Sequence, residues 1–257
     1  MYPIICPKCR YQRQAADVNL HADICPACGI VYSKWLARQQ EPSAAVEELA
    51  HDPDYEPSLS LSQQLKAEFT YVPAQVPREA YWARVVTLAA FALWGGYFIT
   101  AGVDWEKLGG SFMHNINLPF HEFGHVLFMP FGRFMMILGG SLFQVLLPLM
   151  LMCVFIFKQR DTFAASIMLW WCGQSFIDLS PYVADAQYRA LPLIGGGGEE
   201  SHDWGNLLTM LQLLPHTQTI AKGFFLVGAL ILLSALMWGW FILQKQKKNL
   251  VNFLDAP

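Results

Sequence analysis

From about residue 81 onward the hydrophobic positions of this chain come in long, nearly unbroken runs, whereas the first eighty residues mix polar, charged and proline-rich stretches. Residues 85–103, 134–157 and 223–244 carry no charged side chain, and each run is long enough to cross the ~30 Å hydrocarbon core of a bilayer as a helix. Two further segments, 111–131 and 162–184, have spanning length but contain ionisable residues. The pattern predicts a mainly α, polytopic helical membrane protein with about five to six transmembrane helices. Between the last two runs, residues 186–218 are mixed, and Gly195 to Gly198 argue for a loop there. Charge placement adds a constraint. Arg78 and Arg84 before the first run, and Lys245, Lys247 and Lys248 after the last, all favour a cytoplasmic side. Five crossings cannot satisfy both ends. Either residues 186–218 add a crossing or re-entrant segment, or one apparent span is incomplete.

Composition agrees with a membrane protein: hydrophobic residues make up 54% and charged residues 14% of the chain, with a mean hydropathy of +0.30, too apolar for an ordinary soluble domain of this length. A formal net charge of -3 favours no nucleic-acid partner. The opening "MYPIICPKCR" lacks the basic start and apolar core of a signal peptide. The chain divides into a small amino-terminal module over 1–40, an acidic, proline-containing linker over 41–80, and a membrane domain over 81–250. One or two helical turns are expected around Ser60 to Phe69.

Four of the six cysteines lie in the first module, as "CPKC" (Cys6, Cys9) and "CPACG" (Cys25, Cys28). Two C-x-x-C pairs separated by fifteen residues have the spacing of a structural zinc ribbon, each pair offering two thiolates from one turn. Two disulfides or a redox motif are the alternatives. Gly29 suits a knuckle turn because it tolerates positive φ. Four free thiolates need reducing surroundings, which places the amino terminus in the cytoplasm. A closed four-cysteine site leaves no open coordination position, so the ribbon serves recognition or regulation, with a cytoplasmic protein as its partner.

Within 111–131 stands "HEFGH", in which His121, Glu122 and His125 form an H-E-x-x-H set. On a helix, positions i and i+4 share a face, so both imidazoles can reach one zinc ion, and the adjacent Glu122 can act as general base. Between Lys107 and Arg133 the only ionisable residues are His114, His121, Glu122 and His125. Ionisable groups in a membrane segment need partners, which makes function their default reading.

The motif, with Gly124 before its second histidine, resembles the site-2 protease family of zinc-dependent intramembrane metalloproteases. "GGSLFQ" (Gly139 to Gln144) resembles the small-residue and amide segment that follows the family's zinc helix. "DLSPYVADA" (178–186) resembles its N-x-x-P…L-D-G element: Asp178 stands where the family has asparagine, Pro181 matches, and Ala186 replaces glycine. The resemblance covers roughly residues 111–190. It implies Asp185 as the third zinc ligand, membrane-anchored proteins as substrates, and one catalytic zinc beside the structural one. His202 and Asp203 of "SHDW" are the rivals for the third ligand, with a nearby or substrate-binding position as the alternative for either. Asp178 is suited to hydrogen-bond a metal-bound histidine and fix its tautomer, and Gln144 and Gln174 to bind substrate backbone.

Two function classes follow: an intramembrane zinc protease, and a non-catalytic zinc-binding membrane adaptor whose ribbon recruits a partner. A zinc hydrolase acting on a lipid or small amide is a third. A compact chain with a cytoplasmic ribbon points to a prokaryotic plasma membrane.

Overall fold

A computed structural model describes residues 5–36, 60–192 and 201–251; Pro42, Pro53, Pro57, His51 and the run Gly195 to Gly198 lie outside the described residues. The chain forms two compact units, Met1–Ser60 and Leu61–Pro257.

The first unit is built from two like turns. In each, the residue after the second cysteine has positive φ, Arg10 at 60° and Gly29 at 70°, which swings the chain back over the pair. The N–H of Arg10 donates to Cys6 O and that of Gly29 to Cys25 O, both at 2.9 Å. Isolated antiparallel bridges, Ile5 with Gln12 and Ile24 with Val31, close each turn. Cys6, Cys25 and Tyr32 form its small buried core. A core this small cannot hold such a chain folded without a cross-link or metal.

The second unit is helical. Its elements are α1 (Leu61–Phe69), β1 (Val76–Pro77), α2 (Arg78–Ala101), α3 (Trp105–Leu108), α4 (Phe112–Phe128), α5 (Arg133–Cys153), α6 (Thr162–Ala184), α7 (Asp203–Met210), α8 (Thr217–Gln246) and β2 (Leu250–Val251). A wider π-helical turn, Val154–Gln159, extends α5. Polar side chains set the helix starts. Ser111 accepts the His114 N–H at 3.1 Å to begin α4, and Asp161 accepts the N–H groups of Phe163 and Ala164 to begin α6.

Glycines decide which helices touch. A Cβ on Gly124 of α4 would run into Gly139 O of α5, and one on Gly228 of α8 would lie 2.6 Å from Gly173 O of α6. Only glycine permits such backbone approach, the usual way helices associate where lipid removes the hydrophobic drive. Around these pairs, Phe98, Leu108, Met113, Trp170, Ile177 and Leu232 fill the main core.

Of the five apolar segments, three form helices long and apolar enough to cross a membrane: Arg78–Ala101, Arg133–Gln159 and Leu214–Asn249. The motif helix α4 has 17 residues, about 26 Å at ~1.5 Å per residue, short of the ~30 Å hydrocarbon core. Residues 186–218 supply no long helix among those described. Instead α7 packs Trp204, Leu207 and Leu208 into a core with Ile137, Val183 and Ala221.

The two ends of this unit meet. Strand β1 pairs with β2 in parallel, Val76 opposite Leu250, and Arg84 near the start of α2 is 3.0 Å from Asp161 between α5 and α6. The stretch before β1, read from sequence as linker, is fastened at its carbonyls. Trp238 Nε1 donates to Phe69 O at 2.9 Å, Thr162 Oγ1 to Tyr71 O at 2.7 Å, and Asn249 Nδ2 to Pro73 O at 2.8 Å. The basic residues flanking the first and last long helices therefore share one edge.

Candidate metal centres

The four ribbon cysteines converge, with Cys6 and Cys28 Sγ 3.7 Å apart and Cys9 and Cys25 Sγ 3.6 Å apart. All four sulfurs lie within 4.8 Å of one another and could hold a metal ion. They are free thiols, since a disulfide needs ~2.05 Å. Burial opposes a thiolate at Cys25, but the Cys28 and Ala27 N–H groups bring it down to about 6. At Cys9 the Tyr11 N–H favours the thiolate, yet burial and the neighbouring sulfurs push it up to about 12. Four thiolates at this spacing repel one another, and a bound cation relieves that repulsion. Burial and the adjacent Cys25 sulfur push Tyr32 up to about 12, while hydrogen bonds from Ser33 lower Asp23.

The second centre lies in the helical unit. His121 and His125, one turn apart on α4, bring Nε2 to within 3.1 and 3.2 Å of the same Asp203 oxygen, Oδ2. These three residues form the other group able to hold a metal ion among those described. The far side of each ring is already engaged: His125 Nδ1 is 2.9 Å from Met136 O, and His121 Nδ1 is 3.1 Å from Gln144 Oε1. A main-chain carbonyl only accepts, so His125 carries its proton on Nδ1 and turns the Nε2 lone pair toward the carboxylate. Lone pair against carboxylate is repulsive unless a cation or proton stands between them.

Glycine shapes the space in front. A Cβ on Gly140 would lie 2.6 Å from His121 Nε2 and 2.5 Å from His125 Nε2, so Gly140 keeps open the spot a shared ion would fill. The groups face a cavity of about 590 Å³ whose wall includes His114, Leu118, His121, Glu122 and His125, one face of α4, and Met129 just past its end. Glu122 lines this cavity beside both histidines.

The sequence-derived residues fall as follows. His121, Glu122 and His125 are together. Asp203, one of the two rivals for the third position, completes the set, and Asp185 does not: its Oδ2 accepts the Leu191 N–H at 2.9 Å and lies 3.2 Å from His202 Nε2. Asp185 ends α6 as its C-cap, where the turn carries its carboxylate to His202. His202 is fully buried; it caps α7, its Nδ1 accepting the Gly205 N–H at 3.0 Å. Both ring nitrogens of His202 are thereby engaged away from the tetrad, and its capping role aims the next residue, Asp203, into the site. Asp178 reaches His121 only through Gln144, whose Nε2 donates to Asp178 Oδ2 at 3.0 Å. Gln174 is fully buried and accepts from Asn117 at 2.9 Å, so it faces helix partners.

Sequence reasoning gave Tyr182 no role and took Gly140 only as part of the small-residue segment Gly139 to Gln144. The Tyr182 hydroxyl accepts the Asp203 N–H at 2.9 Å and donates to its Oδ2 at 3.3 Å. His114 carried a signal, since it precedes His121 by two helical turns on the same face. Comparison with protein-family models, curated proteins and solved structures gives no match.

Proposed function

We propose that the protein is an intramembrane zinc metalloprotease that hydrolyses peptide bonds of membrane-anchored proteins. The observation that carries this reading is the convergence of three acceptor atoms, from His121, His125 and Asp203, on a space that Gly140 leaves open, with Glu122 on the same cavity wall. The distances suit zinc. Tetrahedral ligands at ~2.0–2.1 Å stand ~3.3 Å from one another, near the 3.1 and 3.2 Å separations here. For four thiolates at ~2.3 Å the separation is ~3.8 Å, near the 3.6 and 3.7 Å of the ribbon. Zinc held by the four cysteines would be closed off as a structural ion, whereas zinc held by His121, His125 and Asp203 would have three protein ligands and room for a water.

Bound zinc supplies Lewis acidity, lowering the pKa of a water and polarising a carbonyl. Glu122 takes the proton of the attacking water and returns it to the leaving amine. Met136 O and Gln144 Oε1 hold the histidine rings in orientation, and Tyr182 holds Asp203. A helical substrate has its peptide groups bonded internally, so it unwinds before a carbonyl can enter the cavity.

Beside the three long apolar helices we read α6, 23 residues long, as a further crossing; four crossings would return the chain to the edge where β1 meets β2, which the basic flanks would place in the cytoplasm. The incomplete helix α4 and the re-entrant α7 then lie within the bundle, where short or irregular backbone is tolerated beside a cavity. The membrane is a prokaryotic plasma membrane, and the ribbon engages a cytoplasmic partner. The test is Glu122→Gln in purified full-length protein: zinc content stays at about two per chain while cleavage of a membrane-anchored substrate is lost. Unchanged cleavage by this variant would sink the enzyme reading.

A further inference from the structure

Asp178 is 4% exposed and sits on α6 between α4 and α5. Three donors from the two neighbouring helices converge on it. His114 Nδ1 lies 3.1 Å from its Oδ1, Asn117 Nδ2 donates to Oδ2 at 3.1 Å, and Gln144 Nε2 donates to Oδ2 at 3.0 Å. The amides between these groups look reversible, because an Asn or Gln side chain can present either end. Two groups in the cluster have only one role. The indole N–H of Trp171 only donates, and it lies 2.8 Å from Asn117 Oδ1, which fixes that amide with Nδ2 toward Asp178. The carboxylate of Asp178 only accepts, so Gln144 must turn Nε2 to it. Gln144 then has its carbonyl left for His121 Nδ1, at 3.1 Å. That carbonyl can only accept, so His121 carries its proton on Nδ1 and leaves Nε2 bare toward Asp203.

We propose that Asp178 is a positioning residue of the metal centre: acting through Gln144, it selects the His121 tautomer that can ligate. The inference rests on the reading of the triad as a metal site. It assigns a reason for an ionisable residue at this depth, where a carboxylate needs several donors to be tolerated. An asparagine here could present its N–H₂ to Gln144, whose amide would reverse. A reversed Gln144 donates to His121 Nδ1, places the ring proton on Nε2, and blocks coordination.

The test measures zinc affinity of the full chain by competition with a chromophoric chelator, the triad site being the one lost in His121→Ala. Asp178→Asn is expected to weaken that site about 10–100-fold and leave the ribbon zinc unchanged. Gln144→Met is expected to weaken it similarly. The deciding result is the double variant: if Asp178 acts through Gln144, Asp178→Asn adds no further loss in the Gln144→Met background. Losses that multiply, or an Asp178→Asn protein that binds as tightly as wild type, overturn the proposal. Should Asp178→Asn fail to fold, the ¹⁵N shifts of His121 in the metal-free protein decide. Nδ1–H in wild type giving way to mixed tautomers in Gln144→Met supports it, and one tautomer in both overturns it. A wild type with no His121-dependent zinc would refute the metal-site reading itself, and this inference with it.

Discussion

Gly140→Ala is the sharpest perturbation the triad allows, because it adds one methyl group and replaces no ligand. The new Cβ would stand 2.5 Å from His125 Nε2 and 2.6 Å from His121 Nε2, where ordinary van der Waals contact begins at 3.4 Å. Relief requires the rings to withdraw by roughly 0.8–0.9 Å, whereas metal–ligand distances tolerate only about ±0.2 Å. Room to withdraw is small. His125 is held by Met136 O at 2.9 Å and His121 by Gln144 Oε1 at 3.1 Å. Overpacking of this type costs about 1–3 kcal/mol in an ordinary core, which the fold can absorb, but the shared position between the nitrogens is filled. The expected result is loss of one of two bound zinc ions, measured by elemental analysis of purified protein, with the ribbon zinc and helical content retained. If Gly140→Ala keeps two zinc ions at wild-type affinity, no ion binds between these nitrogens.

Two further outcomes are expected. Tyr182→Phe removes the acceptor for the Asp203 N–H and a donor to its carboxylate; a lost buried partner costs ~1–3 kcal/mol, so chelator competition should show triad zinc weakened about tenfold or more, and unchanged affinity would count against Tyr182 as its support. Ribbon zinc should weaken as pH falls: Cys9, pushed up to about 12, is protonated in the metal-free ribbon at neutral pH and must lose its proton on binding. Affinity should therefore drop at least about tenfold per pH unit between pH 7.5 and 5.5, and a flat titration would refute thiolate ligation.

How much of the fold the sequence shows depends on how local each signal is. The ribbon is legible because each C-x-x-C turn is set by its own few residues, down to positive φ at Gly29; Arg10 adopts the same conformation without a glycine to announce it. The long apolar runs are legible by length. That α4 falls short, and that residues 60–77 are fastened to α8, is not, because both depend on partners far along the chain. Trp238 and Asn249, whose side chains hold Phe69 O and Pro73 O, are more than 160 positions away. Basic residues at both ends ask for the same side, and the pairing of β1 with β2 brings those two ends to one edge.

The site divides along the same line. His121, Glu122 and His125 come from one helical turn, so spacing alone assembles them. The third member comes from 78 positions beyond His125, and no periodicity links Asp203 to α4. The choice between Asp185 and Asp203 is made by His202. Fully buried, it accepts the Gly205 N–H to start α7 and turns its other nitrogen to Asp185. One histidine thus occupies the carboxylate at the end of α6 and fixes the first residue of α7 over the tetrad. Replacing His202 with alanine would remove the α7 cap, worth ~0.5–2 kcal/mol for a typical cap, and would leave Asp185 with only the Leu191 N–H of the two partners described above. A protein built this way should lose triad zinc in His202→Ala though His202 touches no metal, and zinc content checks it. Retention of both zinc ions would show that α7 needs no cap to deliver Asp203.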